Sequence, residues 1–190
     1  MNIEMHKLIV KHISDLELLI LALLHADNKK GIRGKLFLQK EVFLVVNFIK
    51  EMKSSSDFIA HFYGPYSESV EYAVEHLLSY KLVEKNMGKY VITQSGIEVF
   101  EELRYRLSED KLEAIEDFKV FLNDLSQKEL LVFIYSSFPE FTTESGIKDE
   151  VYKERVPAAI SLYRKNKVSL EKAASLAGMP LEDFIDVLSD

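Results

Sequence analysis

Apolar residues recur along most of this chain at three- and four-residue intervals, and the polar breaks between them carry cap and turn signals. Leu16 to Leu24 is apolar on nearly every side, which predicts a central helix running to about His25 with Asp15 as its N-cap. The loop Asp27-Asn28-Lys29-Lys30-Gly31-Ile32-Arg33-Gly34 follows. It leads into a second apolar-rich helix, from about Lys35 to Met52, which Ser54-Ser55-Ser56-Asp57 ends. Phe58 to Tyr63 is a short extended candidate closed by Gly64-Pro65. Ser67 can cap a helix from Glu68 to about Lys81, with Val70, Ala73, Val74, Leu77 and Leu78 on one face. Glu68, Glu71, Tyr72, Glu75 and Ser79 fall on the other.

Leu82-Val83-Glu84-Lys85 and Lys89-Tyr90-Val91-Ile92-Thr93 are β-prone runs joined by Asn86-Met87-Gly88. They predict a hairpin with a three-residue turn in which Gly88 supplies the left-handed residue of a bulge. Thr93 and Ser95 are candidate caps for the next helix, whose apolar stripe is Ile97, Phe100, Leu103 and Leu107. Helix, hairpin, helix is the ending of a winged helix-turn-helix domain. The pattern Leu77-x4-Leu82-Val83, then Tyr90-x-Ile92-Thr93-x2-Gly96, resembles that of many winged-helix transcription regulators. An α+β domain that carries a hairpin after a helix fits the same pattern.

From Ser108 the character changes. Leu112, Ile115, Phe118, Leu122 and Leu125 form a narrow apolar seam on a helix otherwise crowded with charge. Such a seam serves a dimer or partner contact, or packs on its own chain. Ser126-Gln127-Lys128-Glu129 is a capping box with Leu125 and Leu130 as its hydrophobic staple, so a new helix starts near Gln127 and ends before Pro139. Glu140 to Gly146 reads as a linker or turn. In Leu170 to Leu188, a small residue at Ala174 followed by Gly178 fits a helix-turn-helix with Ala173, Ala177, Met179, Phe184 and Val187 facing inward. The expected fold is mainly α with a small β-hairpin wing: a winged helix-turn-helix domain over 1–107, connecting helices over 108–149, and a C-terminal helix-turn-helix unit over 150–190.

Composition narrows the function classes. In 190 residues there are 7 Gly, 4 Pro and no Cys, which excludes a fibrous or disulfide-framed chain and any thiolate chemistry. No secretory signal precedes the first helix, and the apolar runs are shorter than the roughly 20 residues a membrane span needs, so a cytoplasmic protein is expected. The formal net charge of -7 repels phosphate backbones, but it is unevenly placed. Residues 27 to 53 hold seven bases and three acids, whereas residues 95 to 154 hold seven bases and fifteen acids.

That asymmetry bears on nucleic-acid binding. The expected recognition helix carries Glu68, Glu71 and Glu75 on its exposed face, and the second helix of the C-terminal pair carries Glu182, Asp183 and Asp186. Carboxylates there disfavour a groove lined by phosphates. DNA contact would fall instead to the backbone, through Lys29, Lys30, Arg33 and Lys35 in the loop and Lys85 and Lys89 on the wing, unless these are simply solvated lysines. Catalysis finds no convergent motif. His6, His12, His25, His61 and His76 lack metal-ligand spacing, His61 reads as a structural histidine, and Gly31-Ile32-Arg33-Gly34-Lys35 is no P-loop. No cofactor, metal or small-molecule substrate is expected.

Two family resemblances follow. Lys35-Leu36-x2-Gln39-Lys40-x2-Phe43, with Tyr63-Gly64-Pro65 and the helix after it, resembles the Panacea domain of antitoxins and related regulators over roughly Lys35 to Val83; the wing and Tyr66-Ser67 depart from it. Val168-Ser169-Leu170-x2-Ala173-Ala174-x-Leu176-Ala177-Gly178-x4-Asp183-Phe184 is similar to small prokaryotic antitoxin-like proteins. These resemblances imply a non-enzymatic protein that neutralises or senses a partner protein, and the apolar seam leaves a second copy of the chain open as a partner. The competing expectation is a dimeric, sequence-specific DNA-binding transcriptional regulator.

Overall fold

The computed structural model describes residues 3–49 and 57–189. It is mainly α, with one two-stranded antiparallel hairpin as a small β wing. The chain divides into two compact units, Met1–Phe58 with Ser67–Asn123, and Ile59–Tyr66 with Asp124–Asp190. Asn123 falls inside the segment read from sequence as connecting helices. Among the described residues no helix is long and apolar enough to cross a membrane.

The first unit is built on α2 (Asp15–Lys29), whose Leu16 to Leu24 are all buried, preceded by α1 (Ile3–His12), which the sequence pattern did not announce. Ser14, rather than Asp15, is the N-cap of α2. Its hydroxyl accepts from the Glu17 amide at 3.2 Å while the Glu17 carboxylate accepts from the Ser14 amide at 2.7 Å. That reciprocal box satisfies two orphan donors at once and leaves Asp15 in the first turn, where its charge favours the helix N-terminus.

The second apolar-rich helix is α3 (Gly34–Phe48); the expected end at Met52 and the stop at Ser54-Ser55-Ser56 lie outside the described residues. Asp57 accepts from the Ser69 hydroxyl at 2.8 Å. Gln39 clasps the backbone of Ser67, accepting from its amide and donating to its carbonyl, both at 2.9 Å. Ser67 in turn caps α4 (Glu68–Ser79), which buries Val70, Ala73, Val74 and Leu77 as the spacing requires.

The hairpin pairs β1 (Val83–Asn86) with β2 (Lys89–Ile92), Val83 opposite Ile92 and Asn86 opposite Lys89. Its turn has two residues, not three. Met87 and Gly88 have φ of 47° and 77°, and two successive left-handed residues match the twist of the flanking strands, so no bulge is needed. Thr93 caps α5 (Gln94–Leu103). On α5 the buried stripe is Val99, Phe100 and Leu103, with Ile97 only half-buried. A Cβ on Gly96 would sit 2.1 Å from the Leu82 carbonyl oxygen, and this close approach sets the roll of α5.

The last helix of the unit, α6 (Glu109–Asn123), packs on α2 and α3. Lys119 of α6 and Glu41 of α3 form an ion pair at 2.8 Å, the two side chains 0% and 1% exposed. Burial pushes the Glu41 carboxyl above its ordinary value, against the opposing pull of Lys119 and Arg33.

The second unit centres on α7 (Gln127–Ser137), where Leu130 through Tyr135 are all buried. The expected capping box is present, with Ser126 and Glu129 satisfying each other's amides. A 3-10 turn at Pro139–Thr142 leads to α8 (Lys148–Lys153), α9 (Arg155–Arg164), α10 (Leu170–Ala177) and α11 (Leu181–Ser189). Glu129 also accepts from the Ser161 hydroxyl at 2.6 Å and the Lys165 ammonium at 2.8 Å. Burial raises its pKa, but the hydrogen bonds from Lys165, Ser161 and Ser126 outweigh that and hold it at about 2.

Two predictions come from these buried charges. Lys119→Met or Glu41→Leu alone leaves an unpaired buried charge and should cost about 3 to 5 kcal/mol, while the double replacement should recover most of that loss; denaturant unfolding of the four proteins measures the cycle. Glu129 has a depressed folded pKa, so its contribution is full above the unfolded carboxyl value near pH 4.5 and is lost as pH falls toward 2. Glu129→Gln should therefore unfold with a weaker pH dependence than the parent across that window, as followed by circular dichroism.

Candidate functional site

The basic edge of the first unit begins where the regular backbone of α2 stops. Ala26 is extended, and Asp27, Asn28 and Lys29 follow with φ of 46°, 56° and 60°. Three successive left-handed residues are unfavourable for side chains other than glycine, with Asn and Asp the most tolerant. The turn is held by several partners. The Asp27 amide donates to both oxygens of Glu116 at 3.0 and 3.1 Å, and the Asp27 carboxylate accepts from Asn123 at 2.8 Å and pairs with Lys30 at 2.9 Å. Burial pushes the Asp27 carboxyl up, yet Asn123 and Lys30 bring it below its usual value.

Beyond the turn, Ile32 exchanges backbone hydrogen bonds with Tyr90 of β2 at 2.8 and 2.9 Å. Only glycine fits at 31, since a Cβ there would lie 2.5 Å from the Tyr90 carbonyl oxygen. This isolated bridge ties the loop between α2 and α3 to the hairpin. It also draws Lys29, Lys30, Arg33 and Lys35 to the wing that bears Lys85 and Lys89, although the two groups are some 50 residues apart in sequence.

Those six side chains are not equally available. Lys30 is paired with Asp27, and Lys35 with Glu71. Arg33 lies over the Phe37 ring at 3.9 Å and donates to the Leu122 carbonyl at 3.4 Å. Lys85 sits over Tyr90 at 5.3 Å from the ring centroid. Lys29 and Lys89 are exposed. The neighbouring helix α4 turns Glu68, Tyr72, Glu75 and Ser79 to solvent, beside an open groove of about 830 Å³ lined in part by Asp15, Glu17 and His76.

The apolar seam of α6 is largely used inside the chain. Ile115 and Leu122 are buried, the Phe118 ring packs on Phe48 at 5.0 Å between centroids, and Leu112 is half-buried. Leu125 is buried too, in the second unit. Lys119 lies on the same stripe. The sequence signal for its burial is a lone lysine among apolar residues at helical spacing, a weak one because lysine is usually exposed.

The C-terminal helix pair has the predicted turn. Ser169 caps α10, Gly178 takes φ of 76° at its end, and Ala173, Ala174, Ala177 and Phe184 are buried. Val187 is not inward: it is 37% exposed, because α11 seats only Phe184 fully against its neighbours. Arg155 is the residue that local pattern did not reveal. Its guanidinium donates to the carbonyls of Leu176 at 2.7 Å and Ser175 at 3.1 Å, capping α10 from another helix. Glu182, Asp183 and Asp186 are exposed, as the sequence implied.

His61, read from sequence as a structural histidine, is exposed with its ring 4.8 Å from that of Tyr66. His6, His25 and His76 pair with Glu102, Glu101 and Glu17.

Residues 143–190 match the model of a family described as an uncharacterised protein family, UPF0175, over about a quarter of the chain. No curated protein and no solved structure matches the chain.

Glu116→Ala removes the acceptor that holds the Asp27 amide. The expected outcome is a stability loss of about 1 kcal/mol with a faster hydrogen exchange at Asp27, Asn28 and Lys29 than in the parent, read by amide exchange under native conditions.

Proposed function

We propose that this is a non-catalytic regulatory protein of antitoxin type that acts in the cytoplasm mainly through contacts with a protein partner. The carrying observation is where the carboxylates stand. Both helices that a winged-helix or helix-turn-helix reading would send into a DNA groove, α4 and α11, expose acids, with Glu68 and Glu75 on one and Glu182, Asp183 and Asp186 on the other. Each such side chain repels the phosphates that flank a groove.

Further support comes from the engagement of Lys30, Lys35 and Arg33 within the first unit, which leaves Lys29, Lys85 and Lys89 for a nucleic-acid backbone. The match over 143–190 lies on the segment that resembles small prokaryotic antitoxin-like proteins, and the resemblance of Lys35 to Val83 to the Panacea domain belongs to the same reading. A partner of this kind is a small protein whose activity the complex silences. Absence of catalysis is part of the proposal.

The alternative, a dimeric sequence-specific DNA-binding regulator, draws on the resemblance of the helix, hairpin, helix order to winged-helix regulators, with the Ile32 to Tyr90 bridge beside the hairpin as support. Fluorescence anisotropy with a random duplex, at low and moderate salt, separates the two. Protein-contact action predicts a Kd no tighter than about 10 μM at moderate salt and a log-log salt slope no steeper than about -3, the value for three phosphate contacts. Submicromolar binding with a slope beyond about -5 would overturn it.

A further inference from the structure

The sequence pattern predicts an extended run over Phe58 to Tyr63, closed by Gly64-Pro65. In the structure Ile59 to Tyr66 is instead a closed loop. Ile59 and Tyr66 exchange backbone hydrogen bonds at 2.9 and 3.0 Å, and the Gly64 amide donates to the His61 carbonyl at 2.9 Å, with Gly64 at φ of 80°. The chain leaves the first unit after Phe58, makes this loop within the second unit, and re-enters the first unit at Ser67.

Both feet of the loop are held in the first unit. The Phe58 ring stands edge-on to Phe43 of α3, 5.1 Å between centroids. Ser67 is fully buried, with Gln39 of α3 holding its amide and its carbonyl. Its hydroxyl accepts from the Val70 amide at 3.3 Å as the N-cap of α4. Asp57 accepts from the Ser67 and Ser69 hydroxyls at 3.4 and 2.8 Å. Phe58 and Ser67 adjoin Ile59 and Tyr66 directly in sequence, so no spare residue separates the bridge from either foot. Pro65, with its φ locked, stiffens the exit.

The tip is held in the second unit. The Phe62 carbonyl accepts from the Gly146 amide at 3.1 Å and the Ser145 hydroxyl at 3.0 Å, and Ser145 shares a hydrogen bond with the Tyr135 hydroxyl at 2.8 Å. A Cβ on Gly146 would come within 2.1 Å of the Phe62 ring, and one on Gly64 within 2.9 Å of the Tyr135 ring. Ser145 and Gly146 lie inside the segment 143–190 that matches the uncharacterised family.

We infer that this loop is a regulatory strap: seated on Ser145 and Gly146 it keeps α4 capped, and displacement of Phe62 from that seat loosens Ser67 and the first turn of α4. The bridge makes the loop one body, so a shift at its tip reaches Ser67 through the chain itself. The strap has two states, seated and unseated, and both the family-matched segment and the α4 cap bias them. What it governs is the helix that exposes Glu68, Tyr72 and Glu75 and that pairs with Lys35 through Glu71. The coupling holds whether that helix meets protein or DNA. It is also reciprocal: loosening Ser67 must loosen the seat.

Residue-resolved native-state amide exchange of the full chain tests it. Gly146→Ala drives a Cβ into the Phe62 ring and should speed exchange at the Ser67, Val70 and Glu71 amides at least about fivefold, the size of a weakened cap. Gln39→Ala, in the first unit, should speed the Gly146 amide at least about threefold by the reverse route. Ser169→Ala removes the N-cap of α10, in the second unit but outside the strap, and should leave the three α4 amides within about twofold of the parent. Circular dichroism confirms folding; Ser145→Ala stands in for Gly146→Ala, and Asp57→Ala for Gln39→Ala, where either does not fold. Parent-like exchange at Ser67, Val70 and Glu71 in the folded seat variant overturns the strap. So does an equal acceleration by Ser169→Ala, or a Gly146 amide that ignores the first-unit variant.

Discussion

The contact between Lys119 and Glu41 constrains the first unit more than any other. An ammonium and a carboxylate with essentially no solvent exposure satisfy each other only in one register of α6 against α3. Apolar packing tolerates a slip of one helix on another with modest loss, whereas a slip here separates buried charges. The pair thereby fixes α6, and α6 carries both Glu116 and Asn123 to the turn after α2.

What α6 fixes in turn is the left-handed Asp27-Asn28-Lys29 segment, and through it the approach of Gly31 and Ile32 to Tyr90. The wing is joined to the loop by that bridge, so the basic edge is a product of the core. The same arrangement limits it. Asp27 holds Lys30 and Glu71 holds Lys35, so the charges that the sequence suggested for a nucleic acid are partly consumed in building the edge.

The second unit shows a parallel economy with different chemistry. Glu129 begins as the partner of Ser126 in a helix cap and ends as the acceptor for Ser161 and Lys165, tying α7 to α9. Arg155 ties α9 to the end of α10. The aromatic tip at Phe62 and Tyr63 is seated by Tyr135 of α7 and by Ser145 and Gly146, so a loop distant in sequence becomes part of this unit's surface.

Sequence by itself determined the features whose physics is local. The caps at Ser67, Thr93 and Ser126, the turn at Gly178, the buried face of α4 and the hairpin all follow from neighbours within a few residues, where a hydroxyl, a positive φ or a helical period suffices. It misplaced the α2 cap by one residue, because Asp15 and Ser14 both cap well and only the Glu17 reciprocity separates them. It also turned Val187 inward, since an amphipathic pattern gives a face but not how much of that face finds a neighbour. The tertiary structure alone decided which charges are paired, which loop meets the wing, and which aromatics stay in solvent. Those outcomes depend on groups tens of residues apart, whose encounter is set by packing and by the cost of leaving a buried polar group unmatched.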